Sequence, residues 1–565
     1  MGKGKQTWIK FAVAITFLVL LNILGARWYA KWDLTGDKRF SLTPATKELL
    51  KNLDDDIYLR ILLDVQDPPG FKRMRIAMEE LLREFQSYTP YIEYEFVDPN
   101  EGSADEINQR RKTLAKDHVY PMSLFVRNGT ERKELIIYPW VLVNRGKSRL
   151  AVNILENNPG FNQEENINNS IGQLEYKLAK AIKQLNTQIK KNIVFLQGHG
   201  ELDRKKLMSL RYRLKDSYNT SFLYLDSTVM VPTKIDAVII AKPQRPFSEK
   251  HKFALDQFIM HGGKVLWLID KLGMDMDSLK GRDAFVPLAR DLNIDDQLFK
   301  YGVRIKDDLV LDLECTRIPQ VVGQAGGKPQ IEMFPWYYHV LATPASDHPA
   351  VKNIDRVNLF YPSSIDTLKT KLPLKKHILL RSSAHSRFVM SPSPISFDIL
   401  RYTPDPSKFN RPHLPLAVLL EGQFSSFYAG RVSPEMKAGL KQIGRDVLSA
   451  TPKPNKMLVV SDADFVRAVT NRKTGKVHDL GYNTWEHNVF QGNRQFILNV
   501  IDYMLDDSGI LRARGKELKL RLLDRVRTKS ERTQWQLVNT LVPIFLFVLI
   551  GLLFRFYRRR RFTGI

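Results

Sequence analysis

Two charge-free apolar stretches bracket a long segment in which apolar residues recur at helical and strand spacings. The first stretch runs from Phe11 to Ala26, between Lys10 and Arg27; the second runs from Thr533 to Phe554, between Arg532 and Arg555. A helix that crosses a bilayer needs roughly 20 apolar residues. The second stretch meets this, and its Pro543 is tolerated inside a membrane helix. The first is slightly short, but Lys10 and Arg27 can snorkel, and Trp8, Trp28, Tyr29 and Trp32 suit an interface. The expectation is a membrane helix over 8–28 and another over 536–554, with both termini on the same side. A cleaved signal peptide is the competing reading of the first stretch. Lys3, Lys5 and Lys10 fit it, but Leu24 stands where a small residue should precede the cleavage point at Ala26.

Between the ends, Thr43-Pro44 marks a helix start, a hydroxyl N-cap followed by proline. Residues 56–64 have strand character. Met74, Met78, Leu81, Leu82 and Phe85 recur as on one helix face over 71–88. Residues 91–99 alternate as a half-buried strand does, a helix is predicted over 104–116, and a hairpin should turn at Asn128-Gly129. This order predicts a thioredoxin-like α/β domain over 40–155; no Cys-x-x-Cys is present, which excludes redox chemistry of that type. Ile171, Leu174, Leu178, Ile182 and Leu185 form one stripe, predicting a connecting helix over 165–187.

From Asn192 the rhythm changes to near-continuous apolar runs, NIVFLQG, SFLYLDS, DAVIIAKP and KVLWLID, alternating with helical segments. Further strands are expected at 376–383, 414–422 and 455–465, and a closing helix at 494–505. Such runs predict a parallel sheet covered on both faces, a second and larger domain over 190–509. The stretch 272–375 reads as an irregular, Pro-rich elaboration, with Gly326-Gly327 in a loop. The fold class expected is therefore α/β, a two-domain extracytoplasmic body between two membrane helices.

The formal net charge of +25 invites a nucleic-acid reading, but its location argues against one. The N-terminal tail carries +3, residues 510–535 carry +6, and the tail over 555–565 carries +5, which leaves +11 for everything else. Basic residues flanking membrane are attracted by anionic lipid; Arg558, Arg559, Arg560 and Arg561 are candidates for that contact. Positive tails favour cytoplasmic ends, and long connecting domains translocate largely regardless of charge. The expected location is a bacterial inner membrane with the body in the periplasm. Asn539 and Pro543 are candidates for packing against a partner helix. The lone Cys315 excludes an intramolecular disulfide and a cysteine-rich metal site.

The candidate chemistry lies at strand ends. Gly198, His199, Gly200 and Glu201 follow one predicted strand and precede a helix, where open α/β sheets bind ligands. They can line a sugar or small-molecule pocket; the plainer reading is a tight turn with polar residues. Asp270, Asp462 and Asp464 also end strands. They can hold a metal or a hydroxylated ligand, though such residues more often cap the next helix. No phosphate-binding GxxxxGK[ST] loop and no GxSxG elbow is present, and no nucleophile, base and orienting group can be assigned. A hydrolase using Asp462 or Asp464 is therefore disfavoured, no cofactor or metal is assigned, and ATP hydrolysis is expected in another chain.

Several long motifs carry a resemblance: SLTPATKELLKNL, NPGFNQEENINNSIGQLEYKLAKAIKQL, FLQGHGEL, FSEKHKFALDQFIMHGGKVLWLID, LFKYGVRI, LAVLLEG and the ending WQLVNTLVPIFLFVLIGLLFRFYRRRR. Together they resemble the GldG family of gliding-motility proteins, the auxiliary or so-called substrate-binding component of an ABC-transporter-like complex. The resemblance implies a GldF-like permease and a GldA-like ATPase as partners. It also implies that the larger α/β region is similar to the ABC-transporter auxiliary domain and to the GIFT domain of intraflagellar-transport proteins. It brings no catalytic residue. Substrate-binding proteins are free or lipid-anchored, so two membrane helices argue against a shuttling role. A coupling subunit is the first expectation, and a glycan- or peptide-binding module the second.

Overall fold

The computed structural model describes residues 8, 11–20, 22, 41–65, 67–128, 131–156, 162–187, 189–227, 230–442, 444, 446–471, 473–506, 508–515 and 525–562. It divides into one compact unit through Glu517 and a second from Leu518 to Ile565.

In the first unit, a small sheet is built from β1 (Ile57–Ile61), β2 (Ile92–Phe96), β5 (Trp140–Arg145) and β6 (Ser148–Asn153), in the order β2-β1-β5-β6. β1 and β2 are parallel; β5 and β6 follow antiparallel. The intervening β3 (Met122–Asn128) and β4 (Glu131–Ile137) pair as a separate hairpin; Gly129, half of its expected turn, lies outside the described residues. Helices form where their stripes predict, at Pro69–Tyr88 and Ala104–Lys116. Ser103 and Glu106 close a reciprocal capping box on the latter. Met74, Met78, Leu82 and Phe85 lie against Ile57, Leu59, Ile61, Val141 and Val143 in one buried core.

The helix Gln163–Asn186 serves two cores at once. Leu174, Leu178, Ala181 and Ile182 complete the core of the small sheet, whereas Tyr176 and Ala179 enter the core of a larger one. Thr43, the N-cap of the helix Pro44–Lys51, donates both its N–H and its hydroxyl to the buried Glu175 (2.7 and 2.8 Å).

The larger sheet begins with β7 (Lys191–Gln197), β8 (Tyr218–Tyr224), β9 (Ala237–Ala241) and β10 (Lys264–Leu268). It is mixed, not parallel as the apolar runs imply. β8, β7, β9, β10 and β20 (Asn455–Val460) are parallel. β19 (Pro415–Gly422) then pairs antiparallel with β20, and β17 (Leu374–Arg381) antiparallel with β19. Burial on both faces produces the same continuous apolar signature whichever way a strand runs. Val194, Val238, Val265, Trp267 and Val459 face one core, which includes Leu255 and Ile259 of the helix Glu249–Met260. Their neighbours Phe195, Ile239, Leu266 and Leu458 face the other, with Phe496, Val500 and Met504 of the helix Gln491–Leu505.

The stretch 272–375 is far more regular than expected. It holds β11 (Val303–Ile305), β12 (Asp308–Asp312), β13 (Cys315–Ala325), β14 (Lys328–Pro344), β15 (Val357–Phe360) and β16 (Ile365–Thr367). β13 and β14 form a long hairpin, and Gly326-Gly327 is its turn, not a loose loop. Both glycines have positive φ (59° and 77°), as a two-residue hairpin turn requires. β14 then joins β17 through Thr343–Arg381 and Pro344–Leu380, while β18 (Ser386–Met390) pairs with β12.

The second unit contains the helix Arg532–Phe562, whose side chains are exposed along its described length. Its segment Arg532–Arg561 is long and apolar enough to cross a membrane. At 1.5 Å per residue it measures ~45 Å. The corresponding N-terminal segment is a shorter apolar helix, Phe11–Leu20; most of the rest of the expected first span lies outside the described residues.

Candidate functional site

The carboxyl ends of β7, β9, β10 and β20 adjoin one another in the sheet and carry most of the predicted polar residues. They form two networks. In the first, Gly198 and Gly200 adopt positive φ (123° and 79°), and a Cβ on Gly200 would sit 3.1 Å from Gln244 Cβ. This turn folds the Glu201 carboxylate back onto His199: the His199 N–H donates to Oε2 at 2.7 Å, and Nδ1 lies 3.0 Å from Oε1. His199 Nε2 meets His251 Nδ1 at 2.9 Å, and His251 Nε2 lies 3.2 Å from Asp226 Oδ1. The His199 ring stacks on Phe247 with centroids 3.8 Å apart. His199, Glu201 and His251 are buried, while the Asp226 side chain is 77% exposed. Burial, with His199 beside it, holds the His251 pKa below the ordinary histidine value, against the opposing pull of Asp226.

The second network centres on Lys242, which follows β9 with φ of 57°. Its ammonium contacts Asp270 (2.7 Å) and Asp464. Asp270 also accepts the Ala463 N–H (2.8 Å). Asp462 accepts the N–H groups of Asp464 (2.8 Å), Phe360 (3.0 Å) and Phe465 (3.2 Å). Burial disfavours the charged ammonium, but Asp270 and Asp464 outweigh it and raise the Lys242 pKa. Burial raises Asp270, and the nearby Asp464 adds to this against Lys242. Asp462 is pushed well above the ordinary value by burial and by its two neighbours. These directions agree: Lys242 pairs with two of the three carboxylates and Arg467 lies 3.7 Å from Asp464, while burial and mutual repulsion favour retaining a proton on Asp270 and Asp462. The three carboxylates lie close enough together to ligate a metal, but the Lys242 ammonium already pairs with Asp270 and Asp464, and Asp462 spends its oxygens on backbone N–H groups.

The sequence singles out Gly198, His199, Gly200, Glu201, Asp270, Asp462 and Asp464 as candidates; the structure adds Lys242, His251 and Phe247 to the networks around them. A lysine after an apolar strand looks like a solvent residue, and His251 lies in an ordinary helical first turn. A cavity of about 150 Å³ lies at the opposite ends of β7 and β8, lined by Tyr176, Lys180, Lys191, Tyr218 and Asp502 among others. Tyr218 donates its hydroxyl to Asp502 there (2.9 Å). In the second unit Asn539, Pro543 and Arg558, Arg559, Arg560 and Arg561 all lie on the long helix, exposed.

A family model described as "ABC-type uncharacterized transport system" matches residues 190–500, more than half of the chain. The chain belongs to this transport-system family. Its model is that of an auxiliary domain, so membership implies association with transporter components. A second model, "Domain of unknown function (DUF7088)", matches residues 36–144. No curated protein matches the chain. Among solved structures, "mmIFT52 N-terminal domain" aligns at 11% identity over 56% of this chain and 98% of that one, with a TM-score of 0.31. "Exo-beta-1,4-mannosidase Op5Man5 from Opitutaceae bacterium strain TAV5" aligns at 13% identity over 37% of this chain and 30% of that one, with a TM-score of 0.17. Overlaps this loose carry no functional argument.

Proposed function

We propose that this protein is a non-catalytic, membrane-anchored auxiliary subunit of an ABC-transporter-like complex that serves gliding motility. The observation that carries the reading is the presence, in one chain, of the transport-auxiliary domain and a helix able to cross a membrane. The body is periplasmic, both termini are cytoplasmic, and a second span lies near the N-terminus. The partners are a GldF-like permease and, through it, a GldA-like ATPase. The exposed Asn539 and Pro543 pack against the permease, and Arg558–Arg561 meet anionic headgroups.

The order β2-β1-β5-β6, with a parallel βαβ unit followed by antiparallel strands and a helix, supports a thioredoxin-like reading of the smaller sheet. We read the larger sheet as GIFT-like. The two sheets share the helix Gln163–Asn186, which suits transmission of a conformational change from one to the other. Gentle detergent extraction of the tagged full chain from its native membrane tests the assignment. Permease-like and ATPase subunits should co-purify; recovery of the free monomer under every gentle condition contradicts it.

A second reading, a glycan- or peptide-binding module, is favoured by one observation: the buried His199–His251 pair reaches solvent through Asp226. Binding of cell-wall fragments that is lost in His199→Ala and Glu201→Ala would support it; silence across such fragments favours coupling.

A further inference from the structure

Away from the strand ends already described, three residues distant in sequence converge: His348 in the segment after β14, His377 on β17 and Glu421 on β19. One ring nitrogen from each histidine and one Glu421 oxygen all lie within 4.8 Å of one another. His377 pairs directly with Leu419, so Glu421 is its diagonal neighbour on the same face of the sheet. His348 is 8% exposed, and among the described residues its buried Nε2 has no hydrogen-bond partner. Its Nδ1 accepts the Ala350 N–H at 3.3 Å, a long contact that keeps the neutral ring's proton on Nε2 while it is made. An unpaired buried ring nitrogen is costly.

The surroundings suit a cation held by these side chains. Tyr503 donates its hydroxyl to both Glu421 oxygens (3.0 and 3.3 Å), which orients the carboxylate as outer-shell donors do for metal ligands. The Tyr503 ring also packs against His348, centroids 4.4 Å apart. His377 Nε2 is 3.6 Å from Glu421 Oε2, too long for a hydrogen bond. Glu421 stands opposite Lys375, which is exposed, on β17 and opposite Lys456 on β20. The Lys456 ammonium donates to the Tyr503 carbonyl (2.9 Å) and lies over the Tyr503 ring. This differs from the Asp270, Asp462 and Asp464 cluster, where a lysine already pairs with two of the carboxylates.

We propose that His348, His377 and Glu421 form a binding site for a divalent transition-metal cation of the zinc type. Two imidazoles and one carboxylate are a recognised donor set for such ions, with further positions left for water. Ligand bonds of ~2.0–2.1 Å draw the three groups slightly together, and the half-buried His377 and Glu421 have room to move. Ligation through His348 Nε2 places the ring proton on Nδ1 and gives up the long contact from Ala350. The ion would pin the segment after β14 to β17 and β19. That is where the hairpin-bearing strand β14 joins the sheet through two residue pairs. The role is a cross-link, independent of the transporter assignment.

The test is titration of chelator-stripped full chain in detergent with zinc chloride, followed by calorimetry and by thermal unfolding. Wild type should take up one equivalent and unfold at higher temperature when loaded. His377→Ala and Glu421→Gln, both at half-exposed positions, should each weaken binding beyond the ~10–100-fold typical of outer-shell changes and abolish the thermal shift. His251→Gln should still bind. No zinc uptake by wild type overturns the proposal. So does binding unchanged in both ligand variants, or binding lost in His251→Gln instead.

Discussion

Lys242 joins the ends of three strands through one ammonium. It leaves β9 in the left-handed region, and its Nζ reaches Asp270 after β10 and Asp464 after β20. Removing one member of a buried ion cluster leaves the others uncompensated, at a cost of about 3–5 kcal/mol. Lys242→Met should therefore destabilise the protein by that order in chemical denaturation, far more than substitution of an exposed lysine. The pH dependence has a definite sign. Asp462 and Asp270 have raised pKa values in the folded state, so the native protein holds protons that the unfolded chain releases. Their contribution is complete below the ordinary carboxylate value near ~4 and is lost as pH rises through the raised values. Stability from these groups should fall from mildly acidic pH upwards, and Asp462→Asn should flatten that slope in denaturation series. An unchanged slope would mean that Asp462 titrates normally. The acidic members of this cluster were legible as strand-end residues. Their cation was not, because nothing in AVIIAKP marks Lys242 as buried.

The helix Gln163–Asn186 explains why a clear division of the folded region is hard to draw. Its apolar stripe was visible, but a stripe shows only that a helix is buried. Here Leu178 and Ala179, adjacent in sequence, enter different cores. Leu178→Ala should cost about 2–5 kcal/mol, as for a fully buried leucine. Because the helix is shared, both sheets should lose structure in one transition; separate transitions would show that they fold independently. Local spacing placed most helices and core strands closely, since period and burial coincide there. It failed over 272–375 because the outer part of the β13–β14 hairpin is exposed, including Val321, Val322 and Ile331. A projecting hairpin has neither a continuous apolar run nor a helical stripe. Strand direction was illegible for a different reason: β19 and β20 are buried over most of their length on both faces, so parallel and antiparallel neighbours look alike in sequence. The His348, His377 and Glu421 cluster had no spacing signal, because sheet pairing and a loop bring its members together.

The charge and apolarity of the ends bear on what the assembled chain can do. Much of the formal excess of positive charge flanks the two apolar stretches, and the helix Arg532–Phe562 exposes its apolar side chains throughout its described length. In water such a surface is unfavourable; in hydrocarbon it is the expected one. Membership of the transport-auxiliary family implies association with transporter components, and under the proposed function this helix would hold the folded body beside a permease. The most direct measurement compares the full chain with a version lacking residues 1–28 and 532–565, each expressed with its native partners. After alkaline extraction of membranes, the full chain should stay in the pellet and, from gentle detergent, retain permease-like subunits. The shortened chain should be released as a folded soluble protein without those subunits. Retention of the shortened chain in membranes, or its undiminished assembly with the permease, would contradict the account.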